Sequence, residues 1–169
     1  MSLHSIRLSL ILLFLGVGIL LHGKMGIGSA WYFYVTAFIL LVTHFLFANV
    51  WSAFASLKKG NAMEAELMLS KIKKPQWLAR SPKAYFHFTK GMIDLQNKKI
   101  GTAESHLKEA LKLGLRNQDD YALTALNIAH IHFVKKERTQ ARKYLEKAKS
   151  YEANDLMIKE NIRKMEKVF

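Results

Sequence analysis

The distribution of charge along this chain is the feature that most limits what it can fold into. Between Ser2 and Ala55 the only formally charged side chains are Arg7 and Lys24, and there is no Asp or Glu. The segment from Ser56 to Phe169 carries the other 24 of the 26 Lys and Arg and all 13 acids, a formal charge of 24 − 13 = +11. A chain divided in this way is suited to two solvents, an apolar one for its first third and water for the rest.

Within the first third, residues 1–55, two apolar runs predict a transmembrane hairpin. Leu8 to Leu21 is interrupted only by Ser9 and two glycines. It reaches the roughly 20 residues that a bilayer requires when Leu3 to Arg7 joins it, giving a span of about 4–22 with His4 and Arg7 reaching toward the headgroups. A cleaved secretory signal is the competing reading, since a basic start followed by a short apolar run has that form. Against it, Leu21-His22-Gly23-Lys24 lacks a small-x-small cleavage site, and a second apolar run follows almost at once. That run, Ala30 to Ala55, has Trp31, Tyr32, Phe33 and Tyr34 at one end and Trp51 and Phe54 at the other, which predicts a span of about 30–52 with interfacial aromatic belts. His44 is expected to face the partner helix and Asn49 to lie near the interface. Only His22 to Ser29 separates the runs, and Lys24 is that loop's one formal charge, whereas Lys58, Lys59, Lys71, Lys73, Lys74, Arg80 and Lys83 follow the second run. The positive-inside tendency then places both termini in the cytoplasm.

The remainder is periodic. Leu57 to Ala65, Leu95 to Ala103 and Phe133 to Ala141 align without a gap, so that Ala65, Ala103 and Ala141 stand 38 residues apart. Four residues on are Leu69, Leu107 and Leu145, and three further are Ile72, Ala110 and Ala148, which is one face of a helix. Twelve residues before each alanine lies another small residue, Ala53, Gly91 or Ala129, inside a second apolar helix. Each unit is predicted to be a helical hairpin that packs closely where the small residues meet. Asn154 or Asp155 can cap a last helix over 155–169, with Ile158, Ile162, Met165 and Phe169 on one face.

This pattern resembles the tetratricopeptide (TPR) repeat family, with Gly91, Ala103, Leu107 and Ala110 as its best single match and units over about 47–75, 84–114 and 121–152. The period is 38 rather than the family's usual 34, and His87, Lys90 and Asp94 stand where large residues are usual. With the apolar runs, the resemblance implies an all-α protein: a transmembrane hairpin, then an α-solenoid of about three TPR-like hairpins over 47–169, then a capping helix. No Gly or Pro breaks the chain between Trp31 and Lys59, so the first repeat helix is expected to continue the second span. It implies the inner membrane of a bacterium, and a groove for a protein partner lined by Tyr85, Phe88, Met92, Leu123, Asn127 and His130. The Lys and Asn pattern by which some relatives clamp a C-terminal carboxylate is not reproduced. Phe88 and Leu123 read equally well as core between units.

The residues point away from catalysis. There is no cysteine, Gly-rich phosphate loop or nucleophile motif. His130 and His132 are two apart on a helix and diverge, and His87, His106 and His130 meet only if tertiary packing brings them together, so no metal or other cofactor is expected. Asp119 and Asp120 suit the start of a helix. Between Glu66 and Asp94 there are six basic residues and no acid, with Pro75, Trp77 and Pro82 interleaved. Lys71, Lys73, Lys74, Arg80 and Lys83 are expected to meet anionic lipid headgroups, at roughly 1 kcal/mol per basic residue, in preference to forming a plain solvated surface or, less favoured still, contacting nucleic acid. The function expected is a non-enzymatic membrane-anchored scaffold or assembly factor. The competing expectation is an accessory subunit held in a larger complex by its hairpin, and a tethered nucleic-acid binder is the weaker rival.

Overall fold

The computed structural model describes residues 3–169, and the side chains of all of these except 3–5, 7 and 43–46. The expectations for His4, Arg7 and His44 lie outside the described side chains. All regular structure among the described residues is helical. The long elements are α1 (Leu3–Met25), α2 (Trp31–Lys58), α3 (Ala62–Ser70), α4 (Arg80–Gln96), α5 (Ile100–Leu113), α6 (Gln118–Val134), α7 (Arg138–Ser150) and α8 (Leu156–Glu166), with short 3-10 turns at Ile27–Ser29 and Pro75–Trp77. The chain divides into two compact units, Met1–Asn49 and Val50–Phe169.

In the first unit, α1 ends at a left-handed Gly26 (φ 79°), a conformation that glycine adopts at no steric cost. The two helices then pack through few groups. Gly18 leaves room for Tyr34, whose ring lies 3.1 Å from where a Cβ would stand, and Phe14 meets Phe33 with ring centroids 6.1 Å apart. Ile11, Ala30 and Ala37 are buried, but Leu12, Leu13, Ile19, Leu20, Phe38 and Ile39 are all more than half exposed. Helices this apolar on their outer faces are unsuited to water, and Leu8–Met25 and Trp31–Lys58 are each long and apolar enough to cross a membrane. The 28 residues of α2 rise about 42 Å, more than the roughly 30 Å of a hydrocarbon core. The excess is accounted for by the second unit, which takes α2 from Val50 onward.

The second unit is built from packed helical hairpins: the end of α2 with α3, α4 with α5, and α6 with α7. Small residues mark each closure. Ala53, Ala65, Ala103, Ala129 and Ala141 are fully buried, and Gly91 is buried against Leu107. The 38-residue period also governs the backbone. Gly60, Lys98 and Lys136 (60, 98, 136) are the left-handed residues between the two helices of each hairpin, and Gly114 and Glu152 (114, 152) follow the second helices. Asn117 and Asp155 cap α6 and α8 with their side chains, the first accepting from the Asp120 N–H and the second from the Met157 and Ile158 N–H groups. Consequently α4, α6 and α8 begin at Arg80, Gln118 and Leu156, in steps of 38, and the period runs one helix beyond the three units read from sequence. Helix α4 starts at Arg80 rather than near 84, because Pro82 falls in its first turn, where a missing N–H breaks no helical hydrogen bond. Ile158 and Ile162 of α8 are buried and Met165 and Phe169 half-buried, joining a core with Ala122, Ala125, Leu126 and Leu145.

Gly91 supplies a test of this packing. A Cβ there would stand 2.8 Å from Leu107 Cγ and 3.2 Å from the Leu107 backbone N, whereas a Cβ at Gly101 meets nothing within 4 Å. Gly91→Ala should lose about 1 to 2 kcal/mol, overpacking outweighing the gain in helix propensity, while Gly101→Ala should gain about 0.5 to 1 kcal/mol. Thermal unfolding of the detergent-solubilised chain, followed by circular dichroism, checks both signs.

Candidate functional site

The residues expected to line a groove separate into two groups. Tyr85 and Phe88 are 1% and 3% exposed. Trp51 and Phe54 pack on Tyr85 at ring centroids of 4.8 and 4.7 Å, and Phe54 reaches Phe88 at 5.7 Å. Along this stretch the chain's own first hairpin fills the face, and these two aromatics serve as core between hairpins. Met92 is half-buried. Leu123 and Asn127 are half-buried and His130 is exposed, and all three line one cavity of about 490 Å³.

That cavity lies between α6 and the C-terminal segment. Leu126 and Phe133 complete the α6 wall, and Asn161, Lys164, Met165 and Val168 form the other. The walls are mostly apolar, with a few polar points, the usual composition of a binding cleft. The Asn127 side-chain N–H donates to the Leu123 carbonyl at 2.8 Å, so its amide is oriented by its own helix. Phe133 of the α6 wall meets Phe169 edge-on at 5.5 Å, with the Arg142 guanidinium 5.9 Å from the Phe169 ring. The surroundings are cationic: a neighbouring recess joins His130, Phe133 and Val134 to Lys136 and Arg138, and another joins Phe169 to Arg138, Arg142 and Lys143, with Glu146 as its acid.

Polar ties that the sequence did not reveal hold the helices that present this cavity. Asp120 is 3% exposed; its carboxylate accepts from the Tyr85 hydroxyl at 2.6 Å and lies 3.8 Å from the Lys58 ammonium. The Tyr85 oxygen accepts in turn from the Arg116 N–H at 3.1 Å, while the Arg116 guanidinium stacks 4.3 Å from the Trp51 ring. Burial and the bond to Asp120 push the Tyr85 hydroxyl well above the usual phenol range. Asp119 accepts from the Asn154 and Asp155 N–H groups, which fixes the approach to α8. The acidic pair thus joins helices as well as suiting a helix start. Glu104 forms a second hub: burial would raise its carboxyl, but hydrogen bonds from Lys108 and Lys135 prevail and hold it at about 2.

Of the basic residues expected at a membrane surface, Lys71, Lys73, Lys74 and Arg80 are exposed and Lys83 is half-buried. Arg80 is partly engaged, its Nε donating to the Leu113 carbonyl at 2.7 Å at the end of α5. Tertiary packing does bring His87 and His106 together, with Nδ1 atoms 3.0 Å apart, while His130 lies elsewhere on α6. Among the described residues no group of three His, Asp or Glu side chains could hold a metal ion.

The imidazole pair has a pH consequence. Burial is the main cause that lowers both histidines; His106 and Lys83 add to it at His87, opposed by Glu109, and at His106 Lys90 adds while Asp94 opposes. The folded state therefore resists protons that the unfolded chain accepts near its ordinary value of 6.5. Stability is full above that value and falls as pH drops below it. Hydrogen exchange corrected for intrinsic rates should show α4 and α5 amides losing protection faster than α6 and α7 amides as pH falls below the ordinary histidine value, with His106→Gln reducing the difference. No protein family model, curated protein or solved structure matches the chain.

Proposed function

We propose that this is a non-catalytic scaffold or assembly factor anchored in a membrane by α1 and α2, whose repeat domain of TPR-like hairpins receives a segment of another protein. The observation that carries this reading is the α6–α8 cavity, an open apolar cleft of about 490 Å³ at the end of a stack whose other first-helix face is filled. Its size suits one or two large apolar side chains, and the cations Lys136, Arg138, Arg142 and Lys164 around it suit acids beside them. The partner segment is accordingly an amphipathic helix or strand with an apolar anchor flanked by Asp or Glu. In this reading α8 closes the stack and forms half of the binding wall. The lysines that follow α2 favour both termini in the cytoplasm of a bacterial inner membrane.

A photo-crosslinking residue in place of the exposed Asn161, in native membranes, should capture this partner. Val168→Asp places an acid in the apolar wall at a position already 55% exposed, so folding should survive and capture should fall about tenfold or more. Undiminished capture by a folded Val168→Asp chain would move recognition to the hairpin, the accessory-subunit reading.

A further inference from the structure

Helix α3 turns an apolar strip outward. Its buried face carries Ala65 and Leu69, yet Met63 and Leu67, one turn apart, are 85% and 57% exposed. In the segment that follows, Trp77 is 68% exposed, and Lys71, Lys73 and Lys74 are exposed with it. The Lys74 ammonium lies 4.0 Å from the Trp77 ring centroid, so indole and cation are presented as a pair. Of the acids nearby, Glu66 is paired with Lys90 at 3.0 Å, and Glu64 accepts only from the neutral Asn61 amide at 3.1 Å, so three lysines face one free carboxylate. Apolar side chains, an interfacial aromatic and an excess of cations thus lie within fifteen residues of one another.

The chain fixes what is near this strip. Only Lys59, Gly60 and Asn61 separate the end of α2 from α3. The nine residues of α3 rise only about 13 Å, so the strip is tethered close to the end of a helix long and apolar enough to cross a membrane. We propose that Met63, Leu67 and Trp77 enter the headgroup layer of the membrane that α1 and α2 cross, and that Lys71, Lys73 and Lys74 contact its anionic phosphates. A headgroup layer demands no shape complementarity, only negative charge and shallow apolar depth, and both are matched here. Nucleic acid fits less well, because Met63 and Leu67 have no use against a phosphodiester backbone and Lys74 already covers the Trp77 ring. The inference rests on the reading that α1 and α2 span the bilayer.

The chain has no cysteine, so single nitroxide labels report one site at a time. Full-length protein labelled at Leu67→Cys, Leu13→Cys or Lys143→Cys is reconstituted in phosphatidylcholine vesicles with or without phosphatidylglycerol. Collision with oxygen is then compared with collision with a water-soluble nickel chelate. The expected result is a Leu13 label deep in lipid, a Lys143 label in water, and a Leu67 label shifted severalfold toward oxygen when phosphatidylglycerol is present. Replacing Lys71, Lys73 and Lys74 by Gln should return the Leu67 label to the Lys143 value. A Leu67 label as open to nickel as Lys143, with Leu13 deep in lipid, overturns the proposal alone. If Leu13 is also in water, the membrane-spanning reading fails and the proposal falls with it. Shielding of Leu67 that ignores lipid charge but follows an added oligonucleotide assigns the strip to nucleic acid.

Discussion

The second unit depends on close approach of paired helices at residues with little or no side chain. Where Gly91 faces Leu107, a single methyl group would already overlap the opposite helix, and Ala53, Ala65, Ala103, Ala129 and Ala141 hold the corresponding closures with no exposed surface. Helices brought this close leave room between them for an aliphatic side chain such as Leu107 over Gly91, and the bulkier aromatic ones pack between one hairpin and the next. The aromatic group of Trp51, Phe54, Tyr85 and Phe88 is the result. Small residues within a hairpin and large ones between hairpins are two sides of one packing solution.

Apolar contacts of this kind tolerate sliding, and the polar ties remove that freedom. Asp120 accepts from Tyr85 on the preceding hairpin and faces Lys58 at the end of α2, so one buried carboxylate holds three successive first helices in register. A buried charge of this kind adds little net stability, since its desolvation offsets much of what its partners return, but misplacing it would be costly. Register is what the cavity needs. Its two walls come from α6 and α8, and Asp119 holds the chain just before α8 while Asp120 holds the start of α6.

The periodic part of this architecture was legible in the sequence because small and branched residues recur with the helical face they serve. Ala65, Ala103 and Ala141 gave the second helices and Ala53, Gly91 and Ala129 the first, and the backbone follows the same interval at Gly60, Lys98 and Lys136. The extra step to α8 was less visible, since Leu156 opens a helix whose own face departs from the repeat, and the interval is kept by the caps Asn117 and Asp155 and by the backbone at Gly114 and Glu152. The filled and open halves of the expected groove could not be told apart at that level. Tyr85 and Leu123 occupy equivalent positions 38 residues apart, and what distinguishes them is the neighbour each meets: Trp51 and Phe54 for one, α8 for the other. The His87–His106 contact was hidden for the same reason, being made by residues 19 apart on two helices.

Helix α2 shows why the boundary between membrane and protein core is hard to read from composition. Lipid and a packed interior select the same apolar residues, so Trp31 to Lys58 forms one run to which Trp51 and Phe54 contribute as though they were a second aromatic belt. Their rings instead meet Tyr85 and Phe88 at tilted and edge-on angles, inside the unit that begins at Val50. The 19 residues from Trp31 to Asn49 that precede that unit rise about 28 Å, close to one hydrocarbon thickness. Asn49, one of the polar residues that interrupt the run, stands at that division. Trp51 and Phe54, which read from sequence as an anchor in the headgroups, are half-buried and give part of their surface to the aromatics of the next hairpin. The exposed large apolar side chains of this region, Met63, Leu67 and Trp77, lie beyond α2.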